Sequence, residues 1–142
     1  MYLSNNRVIG HNTDIAGFYL SLKDQNIDFK TKKILILGAG GVTPSVIVGL
    51  KKLGTENIVV TNRTKENALR LKKKFDFLRI LEWGKTIDVD LIINTTSLGL
   101  KQTDQIKIDY NFINYDFKFY FYIFFISDSK SNTEFNRQRF RV

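Results

Sequence analysis

Between Thr13 and Asn26 the apolar residues fall at Ile15, Phe18, Tyr19 and Leu22. That i, i+3, i+4, i+7 spacing puts them on one face of a helix. Asn12 or Thr13 can cap its start, and Asp14 then lies in the first turn, where a carboxylate meets unpaired N–H groups. The polar stretch Asp24-Gln25-Asn26, with Asp28, ends it. Ile34 to Leu37 reads differently. It is a short unbroken apolar run, the pattern of a strand covered on both faces. From Val42 to Leu53 the helical spacing returns, with Val42, Val46, Leu50 and Leu53 on one stripe. Pro44, the only proline, falls in the first turn, where its lacking N–H costs little. Gly54 stands where helices commonly stop.

The alternation continues. Asn57 to Thr61 forms a second strand, and Thr64 to Phe75 a helix with Ala68, Leu71 and Phe75 inward and Thr64 as its cap. Phe77 to Leu81 is a short third strand, and Val89 to Asn94 a fourth, apolar on both faces. Strands alternating with helices predict an α/β domain. Its parallel strands are joined by right-handed crossovers in a doubly wound sheet. The pattern breaks in the tail. Ten of the seventeen residues from Tyr110 to Ile126 are Phe or Tyr, with no period of 2 or 3.6 to assign them an element. The expected organisation is therefore a linker and inter-domain helix over 1–31, the doubly wound domain over 32–109, and a divergent aromatic-rich tail over 110–142, disordered or frame-shifted.

One stretch changes the picture most. Lys32-Lys33-Ile34-Leu35-Ile36-Leu37-Gly38-Ala39-Gly40-Gly41 runs an apolar strand into a glycine-rich turn that opens a helix. Gly38 permits the tight turn, and Gly40, without a β-carbon, lets the backbone approach phosphate oxygens. The helix beginning near Val42 aims its free N–H groups at the same negative charge. Thr43 takes the third small position of the pattern. Such a turn suits a Rossmann-like dinucleotide-binding domain, and a plain strand–turn–helix corner is the alternative. At the end of the next strand the chain reads Asn62-Arg63-Thr64. Enzymes for NAD place a carboxylate there, which would repel the additional phosphate of NADP. Asn62 is neutral, Arg63 offers a planar cation to phosphate oxygens, the Thr64 hydroxyl adds a donor, and Lys65 adds charge. NADP is therefore the expected cofactor.

Asn94-Thr95-Thr96-Ser97-Leu98-Gly99 follows the fourth strand and belongs at the carboxyl edge of the sheet, beside the switch point where ligands bind. Its small hydroxyl side chains let a ring come close, or it is an ordinary polar loop. His11 is the only histidine and reads as an exposed loop residue. With no cysteine and no carboxylate cluster, no metal is expected. The net charge of +8 comes from lysine pairs and one triplet at element ends and on helix faces. It reads as solvated surface with a general attraction to anions, with no nucleic-acid partner. The N-terminus shows no signal pattern. The longest apolar run, Phe119 to Ile126, is eight residues, far below the roughly 20 that span a bilayer. No membrane partner and a cytoplasmic location are expected; the oligomeric state stays open.

Four segments together resemble the shikimate dehydrogenase family. They are Gly10-His11-Asn12-Thr13-Asp14 with Gly17, Leu37-Gly38-Ala39-Gly40-Gly41-Val42, Asn62-Arg63-Thr64, and Asp90-Leu91-Ile92-Ile93-Asn94-Thr95-Thr96-Ser97-Leu98-Gly99. They cover about residues 8 to 100. The family reduces 3-dehydroshikimate to shikimate with NADPH, toward aromatic amino acids. The resemblance implies that Asn12 and Asp14 bind the small-molecule substrate, with Asp14 a catalytic residue paired to a lysine that handles the proton. It implies that Gly38, Ala39, Gly40, Gly41 and Val42 hold the diphosphate and that Asn62, Arg63, Thr64, Lys65 and Asn67 take the adenosine phosphate end. Thr95, Thr96 and Ser97 then lie near the nicotinamide half.

Family members begin with a substrate domain that supplies that lysine. This chain starts just before the Asn-Thr-Asp motif, so the domain is expected to be absent and the chain inactive alone. After Gly99 the likeness is expected to end. Two other readings remain. Glutamyl-tRNA reductases share the glycine turn and an Asn-Arg-Thr-like strand end, although the Asn12-Thr13-Asp14 motif argues against them. A non-catalytic nucleotide-binding or interaction module would use the aromatic tail for docking.

Overall fold

A computed structural model describes residues 2–4, 7–9, 12–23, 25, 27–85, 87–97 and 119–122, the first two groups and the last as backbone only. Two three-residue strands, β1 (Tyr2–Ser4) and β2 (Arg7–Ile9), pair antiparallel with Leu3 opposite Val8. They occupy what reads in the sequence as linker. Then follow α1 (Thr13–Lys23), β3 (Lys33–Leu37), α2 (Thr43–Lys52), β4 (Asn57–Thr61), α3 (Lys65–Lys74), β5 (Arg79–Leu81), β6 (Leu91–Asn94) and β7 (Phe119–Tyr122). Helix α1 stops at Lys23, one turn short of its predicted end.

The strand order is β5-β4-β3-β6-β7, all parallel. From β3 the chain steps outward to β4 and β5, then returns to lay β6 on the other side of β3. The step reverses between β3 and β6, which makes the carboxyl ends of those two strands the switch point of a Rossmann-like sheet. Strand β7 extends the sheet beyond β6, with Phe119 opposite Leu91 and Tyr122 opposite Asn94. No period in the aromatic stretch announced it. The rest of the 110–142 tail, with Gly10, His11, Leu98 and Gly99, lies outside the described residues.

Alternation along the central strands builds two apolar layers. Ile34, Ile36, Ile58, Val60, Leu91 and Ile93 share one face with Phe18 and Leu22 of α1, Val46, Ile47 and Leu50 of α2 and Leu71 of α3. Leu35, Leu37, Val59 and Ile92 point the other way and join Val89. Each such side chain contributes about 1.5–3 kcal/mol on leaving water, so the continuous apolar runs of β3 and β6 are explained by burial on both faces.

Helices α1 and α2 come unusually close at one point. A β-carbon added to Gly49 would lie 2.5 Å from the Phe18 ring. A glycine inside a helix costs roughly 1 kcal/mol relative to alanine; here it lets Phe18 seat against α2.

At the opposite sheet edge, Asp90 accepts the Lys33 N–H at 2.8 Å and lies 3.9 Å from the Lys32 ammonium. This motif residue therefore ties the start of β6 to β3.

Candidate functional site

The carboxyl edge of β3 turns at Gly38, which has φ of +107° and donates its N–H to the Thr61 carbonyl of β4 at 2.8 Å. A β-carbon there would meet Thr95 Oγ1 at 2.7 Å and Thr96 Cγ2 at 2.9 Å. Gly38 is thus required twice, by its backbone angle and by the approach of the loop after β6. Gly40 and Gly41 differ. Both are exposed, and an added β-carbon would touch nothing within 4 Å. The chain's own packing makes no demand for glycine at either position. The room above them is what a phosphate group lying on the backbone needs.

The N–H groups of Gly40, Gly41 and Val42 donate to nothing among the described residues. Val42 stands at the N-cap of α2 without a side-chain cap, and Pro44 lies in the first turn. Three adjacent donors at an uncapped helix start form an anion cradle. The Ala39 N–H is not among them. It donates to Asn62 Oδ1 at 3.1 Å, so Ala39 serves the turn and offers no N–H to a ligand.

Beyond β4, Asn62 is half-buried and its Nδ2 donates to the Thr64 carbonyl at 2.7 Å. Arg63 and Lys65 are exposed, and the Arg63 guanidinium makes no hydrogen bond or ion pair among the described residues. Thr64 occupies the N-cap of α3 with extended backbone, but its hydroxyl makes no capping bond. The sequence expectation of a Thr64 cap is corrected in that respect, and the residue is exposed. Asn67 is half-buried, its N–H on the Thr64 carbonyl at 3.2 Å.

The loop after β6 departs further from expectation. Thr95 is buried. Its hydroxyl donates to the Leu37 carbonyl at 2.8 Å and lies 2.9 Å from the Thr43 hydroxyl. Its one proton serves the turn beneath the cradle. The Thr96 N–H and hydroxyl both donate to Asn94 Oδ1, at 2.9 and 2.7 Å. Among the described residues of this loop, Thr96 is half-buried and Ser97 exposed.

At the same edge, Asn12 caps α1. Its Oδ1 accepts the N–H groups of Asp14 and Ile15 at 3.0 and 3.4 Å, while its Nδ2 donates to Ser45 Oγ in the first turn of α2 at 3.0 Å. The bond to Ser45 brings the N-terminal ends of α1 and α2 together. Asp14, in the first turn of α1, is half-buried, its carboxylate without a partner among the described residues. Ser45 and Gly49 escaped the sequence reading. A glycine mid-helix was the available signal for the second; the first had none. No group of three or more His, Asp or Glu that could hold a metal occurs among the described residues. None of the described helices is long and apolar enough to cross a membrane.

This geometry has close counterparts. The family described as shikimate / quinate 5-dehydrogenase matches residues 21–100. A shikimate dehydrogenase (NADP(+)) of Pelagibacter ubique is 52% identical over 120 residues, which is 84% of this chain and 45% of that protein. A match of that length runs past residue 100, further than the Gly99 at which the sequence motifs end. The crystal structure of shikimate dehydrogenase from Aquifex aeolicus superposes with TM-score 0.70 at 39% identity, covering 82% of this chain and 44% of that one. Shikimate 5-dehydrogenase from Thermus thermophilus, solved in complex with NADP(H) and shikimate, gives TM-score 0.66 at 30% identity over the same shares. The chain spans under half the length of each of these relatives.

Proposed function

The chain belongs to the shikimate / quinate 5-dehydrogenase family, and from that premise we propose that it is the coenzyme-binding portion of an NADP-dependent shikimate dehydrogenase. The reaction is the reduction of 3-dehydroshikimate to shikimate in the cytoplasm, on the route to aromatic amino acids. One observation carries the reading. Three N–H groups at an open glycine turn, unengaged among the described residues, lie one strand away from an exposed Arg63 that has no partner among them, and a single amide joins the two turns.

The residues present fit the dinucleotide. The space over Gly40 and Gly41 admits a diphosphate, and the N–H groups of Gly40, Gly41 and Val42 satisfy its oxygens. Arg63 grips the 2′-phosphate, supported by the Thr64 hydroxyl and Lys65. Asn67 lines this end through α3. Ser97 and Thr96 edge the nicotinamide half, while Thr95 and Ala39 act only by holding the turns. The bound dinucleotide supplies hydride chemistry.

In this reading Asp14 accepts hydrogen bonds from substrate hydroxyls and holds a lysine ammonium from the rest of the enzyme. That lysine exchanges the proton of the carbonyl oxygen. Asn12 sets the position of Asp14 by capping α1, a role more indirect than substrate binding. The 142-residue chain alone, with no lysine paired to Asp14 among the described residues, is expected to bind NADPH and to reduce dehydroshikimate poorly or not at all.

The test is a titration of the 142-residue chain with NADPH and NADH, on wild type and on Arg63→Ala. Wild type binds NADPH more tightly. Arg63→Ala weakens NADPH by roughly tenfold to a hundredfold, the range for a charge-assisted bond, and leaves NADH within about twofold. Equal affinity of wild type for the two coenzymes, or an equal loss of both in the variant, overturns the reading.

A further inference from the structure

We propose that Asn62 is a positioning residue whose amide must accept and donate at once, so that an aspartate in its place cannot turn this site toward NADH. The inference rests on the coenzyme reading above and goes beyond it. A carboxylate at this strand end is the ordinary device for holding the ribose hydroxyls of NAD. By that logic Asn62→Asp is the obvious substitution for switching coenzyme. The geometry points the other way.

Asn62 Oδ1 accepts the Ala39 N–H at 3.1 Å, and Nδ2 donates to the Thr64 carbonyl at 2.7 Å. The partners settle which end is which, since a backbone N–H only donates and a carbonyl only accepts. One planar amide therefore spans the turn after β3 and the turn after β4. Ala39 sits between Gly38 and Gly40 in the diphosphate cradle. Thr64 follows Arg63 and precedes α3. The amide thus sets the spacing between the group that meets the diphosphate and the group that meets the 2′-phosphate. It is a strut within the protein, with both of its polar ends engaged before any coenzyme arrives.

An aspartate keeps half of this. One oxygen still accepts from Ala39. The other has no proton and would face the Thr64 carbonyl oxygen at the 2.7 Å where a hydrogen bond now lies. Two oxygens repel at that distance, so the turn must open and carry Arg63 with it. An alanine removes both bonds without the repulsion. In either variant the diphosphate cradle loosens, which weakens both coenzymes, and Arg63 shifts, which weakens NADPH further.

The experiment titrates NADPH and NADH against wild type, Asn62→Asp and Asn62→Ala in the 142-residue chain. Asn62→Asp is expected to loosen NADH about tenfold and Asn62→Ala at least about threefold, the loss of one or two hydrogen bonds, with NADPH losing more than NADH in each. NADH binding equal to or tighter than wild type in Asn62→Asp overturns the proposal. So does a loss confined to NADPH in Asn62→Ala, which would make the amide a direct phosphate ligand. Equal losses of both coenzymes also overturn it, because they report only general destabilisation.

A wild-type measurement stands beside these should a variant not fold. Amide exchange at Ala39, followed by nuclear magnetic resonance without coenzyme, is expected to be slow and to stay slow when NADPH is added. Fast exchange in the free chain sinks the strut. If wild type binds neither coenzyme while Ala39 is protected, the strut stands and the coenzyme reading fails.

Discussion

The hydroxyls of Thr43 and Thr95 lie 2.9 Å apart, both buried, joining the first turn of α2 to the loop after β6 beneath the glycine cradle. With Thr95 donating to the Leu37 carbonyl at 2.8 Å, Thr43 is the donor between the two hydroxyls, its proton shared with the more distant Gly38 carbonyl at 3.4 Å. The contact crosses the switch point, where the tips of β3 and β6 diverge. It fixes the floor of the site without touching a ligand.

Replacing Thr95 by valine preserves shape and removes two buried hydrogen bonds: the Leu37 carbonyl keeps only the backbone N–H of residue 95 at 2.8 Å, and the Thr43 hydroxyl keeps only the Gly38 carbonyl at 3.4 Å. The expected cost is about 1–3 kcal/mol of unfolding free energy. Denaturant titration should also show Thr43→Val combined with Thr95→Val costing less than the sum of the single changes. Additive costs would show that the two hydroxyls do not act as a pair.

Gly38 and Gly40 should behave oppositely. Gly38→Ala forces a β-carbon into Thr95 and Thr96 at a positive φ, and a loss of roughly 2 kcal/mol or more is expected. Gly40→Ala meets open space and should leave stability within about 0.5 kcal/mol. On the proposed coenzyme reading it should nonetheless weaken NADPH by about tenfold or more, because a methyl group would then stand where phosphate oxygens would approach the backbone. Thermal unfolding and coenzyme titration on the two variants separate these effects. A Gly40→Ala chain that binds NADPH like wild type would remove the cradle from the mechanism.

Gly49→Ala presses a methyl group against the Phe18 ring. Overpacking of this kind costs about 1–3 kcal/mol, against a helix-propensity gain of about 1 kcal/mol. A net loss is expected in denaturant titration. Phe18→Leu in the Gly49→Ala background should cost less than Phe18→Leu in wild type, since the smaller side chain vacates the space the methyl needs. If it costs as much or more, the two helices do not meet at that point.

Asp14 offers a contrast among polar residues. Its carboxylate has no partner among the described residues, so Asp14→Asn should leave both unfolding free energy and NADPH affinity nearly unchanged, within about 0.5 kcal/mol and about twofold. In an enzyme completed with the rest of the family's length, the same substitution should cost turnover by a factor of about a hundred or more, the scale of acid–base assistance. A loss of coenzyme binding in the isolated chain would reassign Asp14 from substrate to coenzyme.

Much of this protein is readable from local chemistry alone. Unbroken apolar runs at 34–37 and 91–93 mark doubly buried strands, and periodic stripes at 15–22 and 42–53 mark helices packed on one side. Gly38 announces a turn that a side chain cannot make. Asn62-Arg63-Thr64 announces a neutral, cationic strand end. Each of these signals sits within a few residues of its effect.

What only tertiary structure decided involves partners far apart in the chain. Asn62 meets Ala39, Thr95 meets Leu37 and Thr43, Asn12 meets Ser45, and Asp90 meets Lys33. Hydroxyls and amides can donate, accept, cap or bind ligands equally well, so residue type does not reveal which of these a folded chain will use. Phe119–Tyr122 becomes a strand beside β6, although no periodicity of its own marks it. A sheet edge is satisfied by backbone pairing, and backbone carries no sequence signature.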